Sequence, residues 1–396
     1  MPDWLALAVL SFGSWGTICA LLALWAEAAP VGDEHYFVTT DDGWTLSLHR
    51  FLPKNGAAPR PYPLVLAHGL NMNRASWALG SGASLIEALT ARGHDVFTLE
   101  YRGTSGSRPG ASKRWSYTID DHLDRDIPAL LREIERLTGS PQVHWVGHSM
   151  GGMLLYLYAG RHGGEQIRRA VTLASPISFR LPRRVPRALG SMVTRVLYTP
   201  LRVPLLLGSF FSLPFSIALR GLTMRRFLNP AHLSLREVAA LCSSALEDVS
   251  GPIYGLFVDL ATSRKDLCPP QDSDVEGLKP SGLAALEAPL LIVASESDRI
   301  APPGAVELAF ERAGSEQAAY VCLGSPSEGA NSPSFGHCDL ASGTAATTWV
   351  LPLLADWFES DLPTAPSALR SRGLDSMSPP EAATPALHPS YEPTAP

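Results

Sequence analysis

The stretch Val143-His144-Trp145-Val146-Gly147-His148-Ser149-Met150-Gly151-Gly152, continuing into Met153-Leu154-Leu155-Tyr156-Leu157-Tyr158-Ala159, decides how this chain of 396 residues is read. A short apolar run of the kind that fills a doubly covered strand leads through glycines on either side of a serine into good helix formers without proline. The order is strand, tight turn, helix. A serine at such a turn has its Oγ lifted above the sheet edge. Glycines at 147 and 151 leave out the Cβ atoms that would collide where strand and helix approach. This is the one Gly-x-Ser-x-Gly in the chain, and Ser149 is the candidate nucleophile.

Working outward, β-like runs alternate with helical patterns. The runs are Tyr36 to Thr40, Thr45 to Phe51, Leu64 to Ala67, Val96 to Leu99, Val143 to Val146, Ala170 to Leu173, Leu290 to Ala294 and Ala319 to Leu323. Such alternation predicts an α/β fold, a mostly parallel eight-stranded sheet with helices on both faces. The first two runs, joined by Asp41-Asp42-Gly43, read as an antiparallel hairpin at its edge. Between the fourth and fifth runs, Leu123, Ile127, Leu130, Leu131, Ile134 and Leu137 recur at helical spacing. Asp120 and Asp121 are available as caps, Gly139 as a stop and Pro128 as a first-turn residue or kink.

A serine hydroxyl needs a histidine to take its proton and a carboxylate to orient that histidine. Both should stand just beyond later strands. After the Leu290 strand comes Ser295-Glu296-Ser297-Asp298, which makes Asp298 the candidate carboxylate and Glu296 its nearest competitor. After the Ala319 strand, a Gly, Ser and Pro-rich loop reaches His337, the one histidine between Asp298 and the tail, and the candidate base. His148 flanks the serine and His144 lies within a strand, so neither is placed for that task. Oxyanion donors are expected from the backbone N–H of Met150, at a helix N-terminus, and of Leu70, in the turn Ala67-His68-Gly69-Leu70 after the third strand. His68 reads as a brace of that turn.

His68-Gly69-Leu70, Gly147 to Gly152, Ser295 to Pro303 and Phe335 to Leu340 together resemble the α/β-hydrolase superfamily, in its serine lipase and esterase branch. The resemblance covers residues 34 to 176 and 288 to 360. Val38 to Arg50 is similar to the opening hairpin of acid-lipase-like members, and Tyr101-Arg102-Gly103 with Gly106-Ser107-Arg108-Pro109 resembles a loop of esterases and peptidases. Serine at the elbow disfavours relatives that carry aspartate or cysteine there. The resemblance implies a Ser149, His337, Asp298 triad working through an acyl-enzyme.

The remaining residues fall into appendages. Trp4 to Ala26 holds 23 residues without a charge, about 35 Å as a helix and long enough to span a bilayer, so residues 1–33 are read as a membrane anchor and linker. A cleaved signal peptide ending near Ala26-Glu27-Ala28 is the alternative. Residues 177–287 form an insertion expected to be a lid. From Gln166 through Arg236 there are twelve Arg and no Asp or Glu, which suits a bilayer interface, an anionic acyl thioester, or a solvated surface. Residues 361–396, with eight prolines between 362 and 396, read as a disordered tail.

A net charge of −6 excludes the footprint of a nucleic-acid binder. Five cysteines without CxxC or metal-ligand spacing predict neither a metal site nor a disulfide framework, and no cofactor is expected. Cys338 beside His337 is read as a buried thiol. The expected function is a membrane-associated serine hydrolase of carboxylic esters, with lipid or hydrophobic acyl esters as substrates. An acyltransferase with the same triad is the alternative, followed by a non-catalytic membrane scaffold. The oligomeric state is not legible.

Overall fold

The structure, a computed structural model, describes residues 30–80, 84–104, 106–110, 116–178, 228–229, 232–244, 250–263, 266–267, 282–324, 334–360 and 370–371. The apolar segment from Trp4 to Ala26, most of the arginine-rich stretch and most of the tail lie outside these residues. Among the described residues no helix is long and apolar enough to cross a membrane.

Among the described residues nine strands form one sheet: β1 (Glu34–Thr39), β2 (Thr45–Phe51), β3 (Leu64–Ala67), β4 (Val96–Glu100), β5 (Val143–His148), β6 (Ile167–Leu173), β7 (Leu290–Ser295), β8 (Ala318–Leu323) and β9 (Arg370–Ser371). Their order is β1-β2-β4-β3-β5-β6-β7-β8-β9. The six strands from β4 to β8 run parallel, and β1 and β2 pair antiparallel at one edge. Eight of these strands are the expected ones. The ninth comes from the region assigned to the tail, where two residues pair antiparallel with Ala319 and Tyr320 of β8. A sheet edge presents unpaired N–H and C=O groups, and even a two-residue partner satisfies some of them.

The pattern of burial explains the pairing. β5 and β7 are buried along their whole length, as strands covered on both faces must be. β1 alternates between half-buried and exposed, as an edge strand does. From β3 the chain crosses outward to β4 and then back past β3 to β5, so the order reverses between β3 and β5. In open α/β sheets the crevice at such a reversal, outside the carboxyl ends of the strands, is where a site is built. The β3 turn carrying Leu70 and the β5 turn carrying Ser149 both open there.

The labelled helices are α1 (Ala75–Ala78), α2 (Leu85–Ala91), α3 (Ile127–Thr138), α4 (Met150–His162), α5 (Leu235–Ser244), α6 (Gly251–Ser263), α7 (Pro303–Arg312) and α8 (Leu351–Glu359). The helix expected around Leu123 to Leu137 begins earlier than its acidic pair suggested. Thr118 is the cap, and Asp121 sits three residues in, accepting the Thr118 N–H at 2.8 Å as the far side of a capping box. Asp120 instead accepts from Arg161. Gly139 ends the helix in the left-handed region at φ 73°.

Pro128 lies two residues beyond a π turn at His122–Asp126, and Pro352 lies two residues beyond another at Ala346–Val350. In each case the residue before the proline closes an i to i−5 bond, Ile127 to His122 and Leu351 to Ala346. A proline ring clashes with the carbonyl four residues back, and the wider turn makes room for it.

The stretch between β6 and β7 contributes α5 and α6. A small apolar cluster of Leu79, Leu228, Leu233, Val238, Ala239 and Ala240, with Cys338 packed on it, joins this stretch to the body of the protein. Cys338, expected to be buried, is half-buried on this cluster.

Candidate active site

Ser149 follows β5 directly and holds φ 51°, ψ −116°, a conformation that costs a non-glycine residue on the order of 1–3 kcal/mol. Its backbone N–H donates to the Leu173 carbonyl at 2.8 Å. Its own carbonyl accepts from Gly152 and Met153 at 3.1 Å each, so the turn is pinned on both sides. The flanking glycines are required sterically. A Cβ on Gly147 would lie 2.5 Å from the Gly152 nitrogen, and one on Gly151 would lie 2.0 Å from the Ala67 carbonyl oxygen.

His337 stands between Ser149 and Asp298. Its Nε2 is 2.9 Å from the Ser149 Oγ, and its Nδ1 is 2.7 Å from the Asp298 Oδ2. A carboxylate only accepts, so the imidazole proton is on Nδ1 and the Nε2 lone pair faces the serine hydroxyl. Asp298 is buried, and its other oxygen accepts the N–H groups of Ile300 and Ala301 at 2.7 and 2.9 Å. Glu296, its competitor in the sequence, is exposed and meets the Cys322 thiol instead. Desolvation and converging donors thus single out Asp298.

The loop holding His337 is tied to the sheet. The Ser295 hydroxyl donates to the Phe335 carbonyl at 2.7 Å, and His148 Nε2–H donates to the His337 carbonyl at 2.9 Å. Burial first, and then the neighbouring His337, push the His148 pKa down to about 3, which keeps it a neutral donor. Sequence reading set His148 aside because it sits beside the serine. That position, at the end of β5, is what lets it reach the backbone of His337.

On the other side of Ser149, a Cβ on Gly69 would fall 3.2 Å from the Ser149 Cβ. The turn leading to Leu70 therefore passes against the serine. Leu70 is half-buried there, and Met150 opens α4, where the first N–H groups have no partner within the helix. His68 Nδ1–H donates to the Gly69 carbonyl at 2.9 Å, the bracing its place in the turn suggested, and burial pushes its pKa down to about 4. His144 is buried in β5 and pushed down to about 3, chiefly by burial.

The loop after β4 holds a buried ion cluster. Arg102 Nε donates to Asp126 Oδ1 at 2.8 Å, and its Nη1 donates to Asp42 Oδ2 at 2.9 Å, while His122 meets Asp126 at 2.8 Å. Burial alone would raise the Asp126 carboxyl, but hydrogen bonds from His122 and Arg102 outweigh it and hold the pKa below the usual value. The cluster fastens the opening hairpin and the start of α3 to β4, and its partners are too far apart in the chain to be read from sequence.

This fold is shared with known proteins. The family model described as alpha/beta hydrolase fold matches residues 62–312, and one described as a partial alpha/beta-hydrolase lipase region matches residues 31–81. The chain belongs to the α/β-hydrolase fold family. Among curated relatives, lysosomal acid lipase/cholesteryl ester hydrolase of Homo sapiens is 35% identical over 129 residues, 30% of this chain and 32% of that one. Triacylglycerol lipase 2 of Arabidopsis thaliana is 28% identical over 159 residues, 37% of this chain and 38% of that one. These matches span well under half the length of the relatives. Among solved structures, a bromoperoxidase from Bacillus anthracis superposes with a TM-score of 0.57 at 17% identity, covering 83% of this chain and 100% of that one. An esterase from Exiguobacterium antarcticum gives 0.53 at 16%, with coverage of 83% and 100%. These two likenesses concern the fold.

Proposed function

We propose that this protein is a serine hydrolase of carboxylic esters, with lipid or hydrophobic acyl esters as its substrates. The observation that carries the reading is His337 lying within hydrogen-bond distance of both the Ser149 Oγ and the buried Asp298 carboxylate. His337 Nε2 takes the hydroxyl proton as Ser149 Oγ bonds to the ester carbonyl carbon, and Asp298 stabilises the imidazolium that forms. The carbonyl electron pair moves onto oxygen, where the N–H groups of Met150 and Leu70 receive it. As the C–O bond to the alcohol breaks, His337 returns the proton to the leaving oxygen. Water, activated by the same histidine, then releases the acid and restores Ser149.

The lipase names of the curated relatives support an apolar acyl group. The uncharged run from Trp4 to Ala26 supports attachment to a membrane. In this reading residues 1–33 are anchor and linker, 34–176 and 288–360 the catalytic body, 177–287 a lid and 361–396 a tail.

A fluorophosphonate probe tests the reading. The wild type is expected to become labelled and Ser149→Ala to stay unlabelled, with turnover of p-nitrophenyl esters rising with acyl length and with added liposomes. Equal labelling of the two proteins would remove Ser149 as the nucleophile.

A further inference from the structure

The stretch between β6 and β7 reaches both halves of the Ser149 site. On the side of the base, Asp339 is fully buried two residues beyond His337. Its Oδ2 accepts the N–H of Gly336 and the N–H of Asn229, each at 2.6 Å. The Asn229 side-chain amide also donates to the Ser334 carbonyl at 2.8 Å, and His232 Nδ1 stands 3.4 Å from the same Asp339 oxygen. Leu228 lies so close that a Cβ on Gly336 would fall 2.5 Å from its Cα. On the side of the oxyanion donors, the Tyr254 hydroxyl of α6 donates to the Asn71 Oδ1. Asn71 directly follows Leu70 and holds φ 56°. The start of α6 is seated by Ser250, whose hydroxyl and N–H donate to the carbonyl and hydroxyl of Tyr117 at 2.5 and 3.1 Å.

Resting on the reading of Ser149, His337 and Asp298 given above, we propose that Asp339 and Tyr254 are positioning residues through which the β6–β7 insertion sets the base and the oxyanion turn. His337 and Leu70 both stand on irregular connections beyond strand ends, where no ladder of backbone bonds holds them. A buried carboxylate that accepts one N–H from the base's loop and one from the insertion makes the placement of the first depend on the second. Losing it would leave the buried Gly336 N–H and the half-buried Asn229 N–H without their acceptor. The tyrosine does the same for the oxyanion turn, fixing the side chain of Asn71, whose left-handed backbone asparagine tolerates better than most residues. The described part of the insertion is thereby part of the catalytic frame.

The test measures kcat per serine titrated by fluorophosphonate in the full chain. Tyr254→Phe is expected to lower it about tenfold and Asp339→Ala about a hundredfold, the scale on which misplacement of about 1 Å acts. KM should stay within about twofold, because the interactions lost matter most in the transition state. Asp339→Asn, whose amide oxygen still accepts both N–H groups, should recover most of the loss. A role in packing alone would lower the melting temperature and the titratable fraction while leaving kcat per titrated site at the wild-type value, and that result overturns the inference. Should Asp339→Ala fail to fold, Tyr254→Phe, which removes a single oxygen, decides the matter. Wild-type turnover by Ser149→Ala would bring down the reading of the site and this inference with it. An inactive Ser149→Ala beside unchanged kcat in the other variants would bring down this inference alone.

Discussion

The Asp298 carboxylate accepts from His337 on one oxygen and from Ile300 and Ala301 on the other. These donors leave it little freedom to turn. Replacing it by asparagine keeps the shape but offers His337 an N–H or a neutral oxygen in place of the charge. The tautomer with its proton on Nδ1 then loses its support. Asp298→Asn is expected to lower kcat by about 10⁴-fold, whereas Glu296→Gln, at an exposed site, should leave it unchanged. Steady-state turnover of one short-chain ester compares the two, and equal losses would contradict the geometry. Ser149, Asp298 and His337 were all legible as candidates because each follows a recognisable apolar strand. Choosing between Glu296 and Asp298 required the fold: they are two residues apart in one loop, and only the path of that loop decides which carboxylate turns inward.

At the scale of the element, helix α4 and the end of strand β3 approach so closely that the backbone itself fills the gap. Gly151→Ala would drive a methyl group into the carbonyl oxygens of Ala67 and His68, at 2.0 and 2.9 Å. No side-chain rotation relieves such a contact. The substitution should cost about 2 kcal/mol or more, seen as a lower midpoint of denaturant unfolding, together with slower labelling of Ser149. A midpoint within error of the wild type would show that the strand and helix can part.

The strands were readable because a buried strand writes its burial along four to seven consecutive residues. The glycines were readable because their spacing about the serine is local. The π turns before Pro128 and Pro352 were less so. Proline announces a disturbance, but whether the helix breaks, bends or widens depends on what the flanking turns pack against.

The whole molecule carries several buried histidines held neutral. His49 and His144 are pushed down to about 3, His68 and His94 to about 4 and His148 to about 3, burial being the largest cause in each. In the unfolded chain these groups return to a pKa near 6.5. Between about 3 or 4 and 6.5 the unfolded state therefore binds more protons than the folded one, and stability rises with pH across that window. The paired carboxylates of Asp126 and Glu359, both held below their usual values by hydrogen bonds that outweigh burial, act in the same direction at lower pH. Melting temperature should be highest above pH 6.5 and fall steadily toward pH 4. A flat profile over this range would mean that the histidines are hydrated or paired.

Spacing within single segments sufficed for eight strands, the turn at Ser149 and the residues expected to carry chemistry, because strand burial and turn sterics are properties of neighbours in the chain. The meeting of Ser149 with His337 across 188 residues, the choice of Asp298 and the reach of Tyr254 to Asn71 across 183 belong to the packed structure. Those distances are set by how strands and helices stack, and no local pattern along the chain encodes them.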